Sequence, residues 1–243
     1  MDLTSFDLSL IRKPPSDLVL ETNVLRTITE NCQDALEYHR MIAFIGDSGY
    51  GKTKSLQYFA AKKKNVYYLV VEKSMTSKRF YVELLNVLGF TNSFRGSDLN
   101  NLIKSISFHL CHSKQSNLLI IDEAGKFNAN QLLFLHELRD NTKSNTGIIL
   151  SGPPYFNKNM DLWKLAGKEG IPELYRRIQS WIPLPEPSMK EKKAYCSEFG
   201  ILNDLADELA DESKDFGTLD NKILEVRIAV IKYLKATEKK TNK

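Results

Sequence analysis

The stretch FIGDSGYGKTKSL, residues 44–56, decides the fold of this 243-residue chain. It contains Gly46, Gly51, Lys52 and Thr53 at the spacing of the GxxxxGK[ST] phosphate-binding loop. An apolar run precedes the loop and a helical pattern follows it. At such a strand-to-helix turn, backbone N–H groups point towards one place and favour an anionic phosphate. The stretch therefore predicts a nucleotide-binding α/β domain.

The residue types in this loop suit phosphate chemistry. Gly46, Gly49 and Gly51 allow the backbone dihedral angles that wrap around phosphate oxygens. We expect the Lys52 ammonium to bind the β- and γ-phosphates of ATP, and the Thr53 hydroxyl to bind Mg²⁺. The predicted nucleotide-binding residues are Gly46, Asp47, Ser48, Gly49, Tyr50, Gly51, Lys52, Thr53 and Lys54. The alternative is a glycine-rich turn without a ligand, and the spacing gives no role to the Tyr50 side chain.

Short apolar runs alternate with amphipathic segments along the chain, which is typical of a parallel sheet covered by helices on both faces. Strands are predicted over residues 41–46, 65–72, 117–123, 146–152 and 180–186. Apolar residues recur at helical spacing in residues 21–39, 51–63, 77–90, 98–112 and 128–141. The sequence therefore predicts an α/β P-loop fold with a five-stranded parallel sheet flanked by helices.

A proline-rich stretch marks a domain boundary. Pro183, Pro185 and Pro187 interrupt regular structure, and three helical patterns follow them. We therefore predict an α/β ATPase domain over residues 1–187, which begins with an extended segment over residues 1–20. A small all-helical lid domain with a basic tail is predicted over residues 188–243.

Composition excludes several classes of protein. Cys32, Cys111 and Cys196 lie far apart without a CxxC pair, which argues against a disulfide framework and a structural zinc site. The chain has neither the pattern of a signal peptide nor the roughly 18 consecutive apolar residues of a membrane helix. We therefore expect a cytoplasmic protein with no membrane partner. The net charge of +4 permits a polyanionic partner without requiring one.

A pair of acidic residues supplies the second half of an ATPase site. Asp122 and Glu123 follow the apolar run LLII, at the carboxyl end of a predicted strand. In this architecture such a strand end lies beside the phosphate loop. We expect Asp122 to hold Mg²⁺ through water and Glu123 to orient and deprotonate the attacking water. An exposed Asp-Glu turn is the alternative.

These motifs together resemble those of AAA+ ATPases, which are P-loop ATPases that form rings or filaments. The residues that carry the resemblance are GDSGYGKT, IIDEA, LHELRD, GIILSG and ELYRRIQS, in that order. Within that class, the chain is similar to DNA-transposition regulators of the phage Mu B-like, TniB-like and TnsC-like type. The similarity lies in the short chain, the sequence of residues 121–154 and the helical tail. The resemblance implies ATP and Mg²⁺ as cofactors, and hydrolysis that is slow until assembly or a partner stimulates it.

The resemblance also implies roles for further residues. Ser151 lies where AAA+ proteins place a sensor of the γ-phosphate or attacking water, although a polar strand end is common. Arg176 and Arg177 lie in the segment that supplies an arginine finger to the ATP of a neighbouring subunit; the alternative is two solvated arginines. Asp220 lies where many lids carry a second sensor arginine, so Lys222 or Arg227 substitutes for it or this sensor is missing.

The implied partners are double-stranded DNA, a transposase or other recombination protein, and further copies of the chain in a ring or helical filament with ATP between subunits. Candidate DNA contacts are Lys73, Lys78 and Arg79, in a basic stretch over residues 61–81. The alternative interpretation of this stretch is that Lys62, Lys63 and Lys64 are the solvated end of a helix. The alternatives are an ATPase that remodels or anchors a protein assembly, of secretion or phage-assembly type, and a helicase-loader-like ATPase.

Overall fold

A computed structural model describes residues 18–90 and 96–241, the segment 237–241 as backbone only. These residues fall into two compact units. The larger unit comprises Leu25–Asp47 and Lys52–Leu184. The smaller unit comprises the described residues up to Val24, Ser48–Gly51 and the chain from Pro185 onwards. The boundary that the sequence predicts after residue 187 stays a prediction.

The larger unit is built on a fully parallel sheet, as the sequence predicts. Its five strands lie in the order β2-β3-β4-β1-β5. They are β1 (Met41–Ile45), β2 (Val66–Val70), β3 (Asn117–Asp122), β4 (Thr146–Gly152) and β5 (Ser180–Pro183). The carboxyl ends of parallel strands share one edge of a sheet, so the loops after β1, β2, β3 and β4 meet there.

Helices cover this sheet. They are α1 (Asn23–Glu37), α2 (Lys52–Ala61), α3 (Ser77–Val87), α4 (Leu99–Cys111), a short 3₁₀ helix (Ala124–Lys126), α5 (Ala129–Thr142), α6 (Pro154–Leu165) and α7 (Ile171–Arg177). The sequence did not predict α6 and α7. Phe156 and Met160 of α6 are buried one helical turn apart, so this helix has an apolar face that the sequence did contain.

Side chains of the strands alternate between the two faces of the sheet. Ile148 and Leu150 of β4 belong to the core on one face, together with Leu84 of α3 and Leu135 of α5. Gly147, Ile149 and Ser151 therefore point to the opposite face, where Ala35 of α1 contacts Gly147. The same alternation along β3 directs Asp122 to that opposite face, because Ile121 belongs to the first core.

Among its described residues, the smaller unit has three helices around its own core. These are α8 (Met189–Glu198), α9 (Asn203–Asp211) and α10 (Phe216–Thr241). Ser188 and Glu191 form a reciprocal capping box at the start of α8. The core side chains include Cys196, Phe199, Leu205, Leu209, Leu219 and Ile223. No helix among the described residues is both long and apolar enough to cross a membrane.

Parts of two predictions lie outside the described residues. Residues 1–17 of the expected extended segment are among these. So are the side chains of Lys239, Lys240 and Lys243 in the expected basic tail. Both expectations stay predictions.

The contact between β4 and α1 gives a test of the fold. A Cβ atom at residue 147 would lie 2.0 Å from the backbone oxygen of Ala35. We expect Gly147→Ala to lower the free energy of unfolding by about 3 kcal/mol, since backbone atoms cannot turn away as a side chain does. Urea unfolding measures this loss. Ile148→Val on the same strand is the control, with an expected loss of about 1 kcal/mol; equal losses would contradict the close approach of α1 to Gly147.

Candidate nucleotide-binding site

The phosphate-binding loop runs from the end of β1 to the start of α2. The Gly46 N–H donates to the carbonyl of Gly152 at the end of β4, 3.2 Å away, which fixes where the loop begins. Gly49 has a φ of 81° and Gly51 a φ of 88°. These left-handed angles are open to glycine and strained for residues with a Cβ atom. The two glycines thus satisfy a backbone requirement of the loop.

Lys52 is the first residue of α2, and its side chain folds back over the loop. The residue is 8% exposed, and its Nζ donates to the carbonyl oxygens of Gly46 and Asp47, both at 2.7 Å. Burial lowers the pKa of this ammonium, while the carboxylates of Asp122 and Glu123 raise it. The cation is therefore held inside the curve of the loop, close to both acidic residues.

Asp122 is the hydrogen-bonding centre of the site. This carboxylate is 1% exposed at the end of β3. Its Oδ2 accepts hydrogen bonds from the Thr53 hydroxyl at 2.7 Å and from the Tyr68 hydroxyl at 2.9 Å. Its Oδ1 accepts from the Glu123 N–H at 2.9 Å. The structure thus brings together Thr53 and Asp122, the two residues that the sequence assigns to Mg²⁺.

The donor set fits Mg²⁺ rather than a metal held by protein alone. Thr53 and Asp122 offer a hydroxyl and a carboxylate, the hard oxygen ligands that Mg²⁺ prefers. Among the described residues there is no group of three or more His, Cys, Asp and Glu side chains placed to hold a metal. Mg²⁺ bound here would therefore complete its coordination with phosphate oxygens and water, as is usual in nucleotide sites.

Glu123 has an unusual backbone conformation for a residue with a side chain. Its φ of 60° and ψ of 30° lie in the left-handed region. Its carboxylate is about one-third exposed and forms an ion pair with Lys126 at 3.4 Å. Left-handed residues other than glycine are costly and often lie at functional sites. The turn therefore directs the Glu123 carboxylate away from the buried end of β3, although Glu123 directly follows Asp122.

Ser151 of β4 lies beside Asp122 of the neighbouring strand β3. Ile121 pairs with Leu150, so the next residues along both strands are Asp122 and Ser151, on the same face. Ser151 is fully buried, and its hydroxyl has no hydrogen-bond partner among the described residues. A buried hydroxyl without a partner costs about 1–3 kcal/mol, so a phosphate oxygen or water is a fitting partner. Its role as a sensor stays a prediction.

Comparison with known proteins agrees with this geometry. Residues 34–160, which are more than half of the chain, match the family described as AAA domain. The chain belongs to the AAA domain family. This AAA protein has no significant match among curated protein sequences.

Solved structures with a similar fold include ORC and Cdc6 proteins. The ORC2 protein of Aeropyrum pernix, in ADPNP–ADP complexes, has a TM-score of 0.65 at 15% identity, over 93% of this chain and 66% of ORC2. The ORC1 protein of the same organism, in complex with DNA, has a TM-score of 0.64 at 13% identity, over 94% and 64%. Cdc6p of Pyrobaculum aerophilum has a TM-score of 0.61 at 14% identity, over 98% and 67%. The AAA chain thus spans about two thirds of these structures' length.

The two candidate finger arginines have different surroundings. Arg177 makes two hydrogen bonds to Asp140 of α5, at 2.5 and 2.6 Å, and one to the carbonyl of Glu173 at 2.9 Å. The bond from Arg177 lowers the pKa of the Asp140 carboxyl. Arg176, by contrast, is exposed. Arg177 therefore contributes to packing within the subunit, and Arg176 is directed outwards.

The tip of the loop, Ser48–Gly51, belongs to the smaller unit, as do the positions that the sequence assigns to a lid sensor. The Tyr50 hydroxyl donates to Glu186 at 2.9 Å, and the Phe216 N–H donates to the carbonyl of Gly49 at 3.1 Å. Asp220, which the resemblance assigns to the position of a sensor arginine, accepts a hydrogen bond from Tyr195 at 3.1 Å. Lys222 is paired with Glu212. Whether Lys222 or Arg227 substitutes for the sensor, or the sensor is missing, stays a prediction.

The candidate DNA contacts lie at the carboxyl edge of the sheet. Lys73 is exposed in the loop after β2. Lys78 and Arg79 are exposed in the first turn of α3, which Thr76 caps through a hydrogen bond from the Arg79 N–H. Arg79 also pairs with Glu72 at 3.5 Å. The three cations therefore surround one loop, although Glu72 offsets part of their charge.

Sequence reasoning missed Tyr68 and Lys126 as members of this site. Tyr68 lies within the strand predicted over residues 65–72, and the sequence pattern assigned it no role. The hydrogen bond to Asp122 depends on the pairing of β2 with β3, in which Val70 lies opposite Asp122. Strand alternation then puts Tyr68 on the face of Asp122. Burial and the nearby Asp122 raise the pKa of the Tyr68 hydroxyl, so it stays a hydrogen-bond donor at neutral pH.

The bond from Tyr68 to Asp122 predicts an effect on metal binding. Removal of an outer hydrogen-bond partner of a metal ligand weakens metal binding about 10-fold. We therefore expect Tyr68→Phe to raise the Mg²⁺ concentration needed for half-maximal ATP binding by about that factor. Tyr67→Phe is the matched control, because Tyr67 packs on the core of the opposite face. Identical Mg²⁺ titrations for the two variants would contradict the assignment.

Proposed function

We propose that this AAA protein is an ATP-dependent, sequence-non-specific DNA-binding ATPase that oligomerises on duplex DNA and regulates DNA transposition. The observation that carries the ATPase part is the buried Asp122 carboxylate, which joins Thr53 of the phosphate loop to the Glu123 turn. The resemblance to transposition regulators supports the regulatory part. A transposase or other recombination protein is the proposed partner.

The residues of the site divide the work of hydrolysis. The loop N–H groups and Lys52 would hold the phosphates, and Thr53 and Asp122 would hold Mg²⁺, which would neutralise charge that develops on the phosphate oxygens. Glu123 orients the attacking water and accepts its proton. Ser151 donates its buried hydroxyl to the γ-phosphate or to that water. Because the chain supplies no finger to its own site in this scheme, we expect slow turnover before assembly.

Assembly would place a finger from one subunit at the ATP of the next. Arg176 suits this role because it is exposed, and a guanidinium stabilises a charged phosphoryl transition state. Arg177 suits the role of a support, because its contacts to Asp140 and Glu173 hold the end of α7. ATP between subunits would build a ring or filament, and hydrolysis would release it.

The basic start of α3 supports a DNA surface. Lys78 and Arg79 add their charges to the positive end of the helix dipole, which favours phosphate groups. The ORC1 structure of the same fold was determined in complex with DNA. Cations on phosphates confer affinity without sequence preference, and a ring or filament would repeat them along the duplex.

Two substitutions test the ATPase assignment. We expect Lys52→Ala to weaken ATP binding by at least about 100-fold, because the loop loses its charged donor. Glu123→Gln keeps the loop and should bind ATP normally, while hydrolysis falls about 10²- to 10⁴-fold with loss of the base. Nucleotide-binding fluorescence and phosphate release measure these effects. Wild-type turnover by Glu123→Gln would remove Glu123 from the mechanism.

Charge reversal tests the DNA assignment. We expect duplex DNA of random sequence to be retained on a filter in the presence of ATP, with strong salt dependence. Lys78→Glu combined with Arg79→Glu should reduce the slope of log affinity against log salt by about 2. The matched control is Lys63→Glu with Lys64→Glu, the same charge change at the exposed residues after α2.

The comparison of variants also separates the alternatives. If DNA is retained equally with and without nucleotide, and equally by the wild-type protein and the Lys78→Glu, Arg79→Glu variant, the proposed ATP-dependent DNA function is contradicted. That result would favour an ATPase that remodels or anchors a protein assembly. Equal losses in both charge-reversal variants would mean that total charge, rather than the start of α3, determines binding.

A further inference from the structure

Helix α10 has a second apolar face besides the one that forms the core of the smaller unit. The core face consists of four buried side chains, which are Leu219, Ile223, Val226 and Val230. Leu224, Ile228 and Ile231 are 51%, 43% and 49% exposed. Each residue of a helix turns by about 100°, so these three side chains form one stripe, roughly 140° around the helix from the core face. Large apolar side chains exposed in a regular row are typical of a surface that meets a partner.

The spacing of the stripe is that of a contact between two helices. Leu224, Ile228, Ile231 and Lys235 follow one another at intervals of four, three and four residues, which is the repeat of a paired helix. Lys235 fits at the end of the stripe, since its aliphatic stem covers apolar surface while its ammonium reaches water. Residues 231–236 are all exposed, and Val230 is the last core side chain of the helix. The stripe therefore continues onto a part of α10 that lies beyond the core.

Charged residues flank the stripe in an arrangement that selects the direction of a second helix. Glu225 and Lys232 are exposed along one edge, and Asp220 and Arg227 lie along the other. In a parallel pair of α10 helices, Asp220 would face Glu225, and Arg227 would face Lys232, so both contacts would join like charges. In an antiparallel pair, Glu225 of each copy would face Lys232 of the other. The charges therefore oppose the parallel pair and favour the antiparallel one.

We propose that the exposed stripe of α10 binds a second copy of this chain, through an antiparallel pairing of the two α10 helices that needs no nucleotide. A two-fold axis would place Ile228 of each copy on Ile231 of the other. Such a symmetric contact uses one patch twice, so the patch must complement itself. An apolar stripe whose one edge carries both Glu225 and Lys232 meets that condition.

This contact goes beyond the proposed function. In the proposed function, ATP joins copies through the nucleotide site, and hydrolysis separates them. The α10 contact lies in the smaller unit and would form before ATP binds. It would also join subunits of two different rings or filaments, where many weak contacts act together and hold the two assemblies to each other.

Sedimentation equilibrium of the full chain without nucleotide, at low salt, tests the dimer. We expect a reversible equilibrium between monomer and dimer for the wild-type protein. Ile228→Asp puts a charge into the stripe and should weaken dimerisation at least about 100-fold. Leu165→Asp is the matched control, because Leu165 is 83% exposed on α6 of the larger unit, and it should dimerise as the wild-type protein does.

Two results of this experiment would overturn the proposal. One is a wild-type protein that stays monomeric at about 100 μM, which would mean that another segment or partner covers the stripe. The other is a dimer that Ile228→Asp leaves unchanged.

An exchange of charges tests the direction of the pairing and leaves the apolar stripe intact. Glu225→Lys and Lys232→Glu each create two contacts between like charges in the antiparallel pair, and each should weaken dimerisation about 10-fold. The two substitutions combined restore opposite charges and should return the dimer to its wild-type strength. A stronger dimer of Glu225→Lys would indicate parallel pairing and refute the proposal. A double variant as weak as the single ones would do the same.

Lys52→Ala separates the α10 contact from the proposed assembly with ATP. This variant should form no ring or filament, yet it should dimerise without nucleotide as the wild-type protein does; loss of the dimer would contradict the α10 pairing. If the wild-type protein forms the dimer but no larger assembly with ATP and DNA, only the proposed function fails. If ATP builds the assembly while the protein without nucleotide stays monomeric, only the α10 pairing fails.

Discussion

The buried carboxylate of Asp122 is the constraint on which the site depends. A charged group with 1% exposure needs hydrogen bonds in place of water, and it receives them from Thr53, Tyr68 and the Glu123 N–H. These three donors come from α2, from β2 and from the turn after β3. One side chain therefore ties the phosphate loop, a neighbouring strand and the catalytic turn into a single arrangement.

The parallel sheet makes this arrangement possible. With β4 between β1 and β3, the phosphate loop and the acidic pair leave the same edge of the sheet, two strands apart. The bond from Gly46 to Gly152 and the absence of a side chain at Gly147, against α1, keep the strands and the helix close. Packing that lies away from the nucleotide thus sets the distance between the groups that would act on it.

Several polar groups around the site share one property, which is an incomplete or weak set of partners. The Ser151 hydroxyl is buried with no partner among the described residues, Glu123 is in a strained turn, and its ion pair with Lys126 is open to solvent. Arg177, away from the site, has a stronger set of partners, with two bonds to Asp140. Incomplete pairing at a candidate site is expected where ligands supply the missing contacts.

The sequence by itself determined the fold class and the central residues of the candidate site. The glycines, Lys52 and Thr53 could be assigned because a phosphate loop requires those types at that spacing, and the strand array because apolar runs alternate with amphipathic segments. The order of the strands was not predictable from these local patterns. The helices α6 and α7 were missed, although α6 has an apolar face.

Only the tertiary structure decided which side chains meet. Tyr68 bonds to Asp122 because β2 pairs with β3 in one register, and Arg177 differs from Arg176 because Asp140 of α5 lies beside it. Lys73, Asn128 and Tyr155, from three segments that are far apart in the chain, line a common groove. Residue type and spacing act locally, whereas register and helix packing bring distant residues together, and these contacts distinguish one tyrosine or arginine from its neighbour.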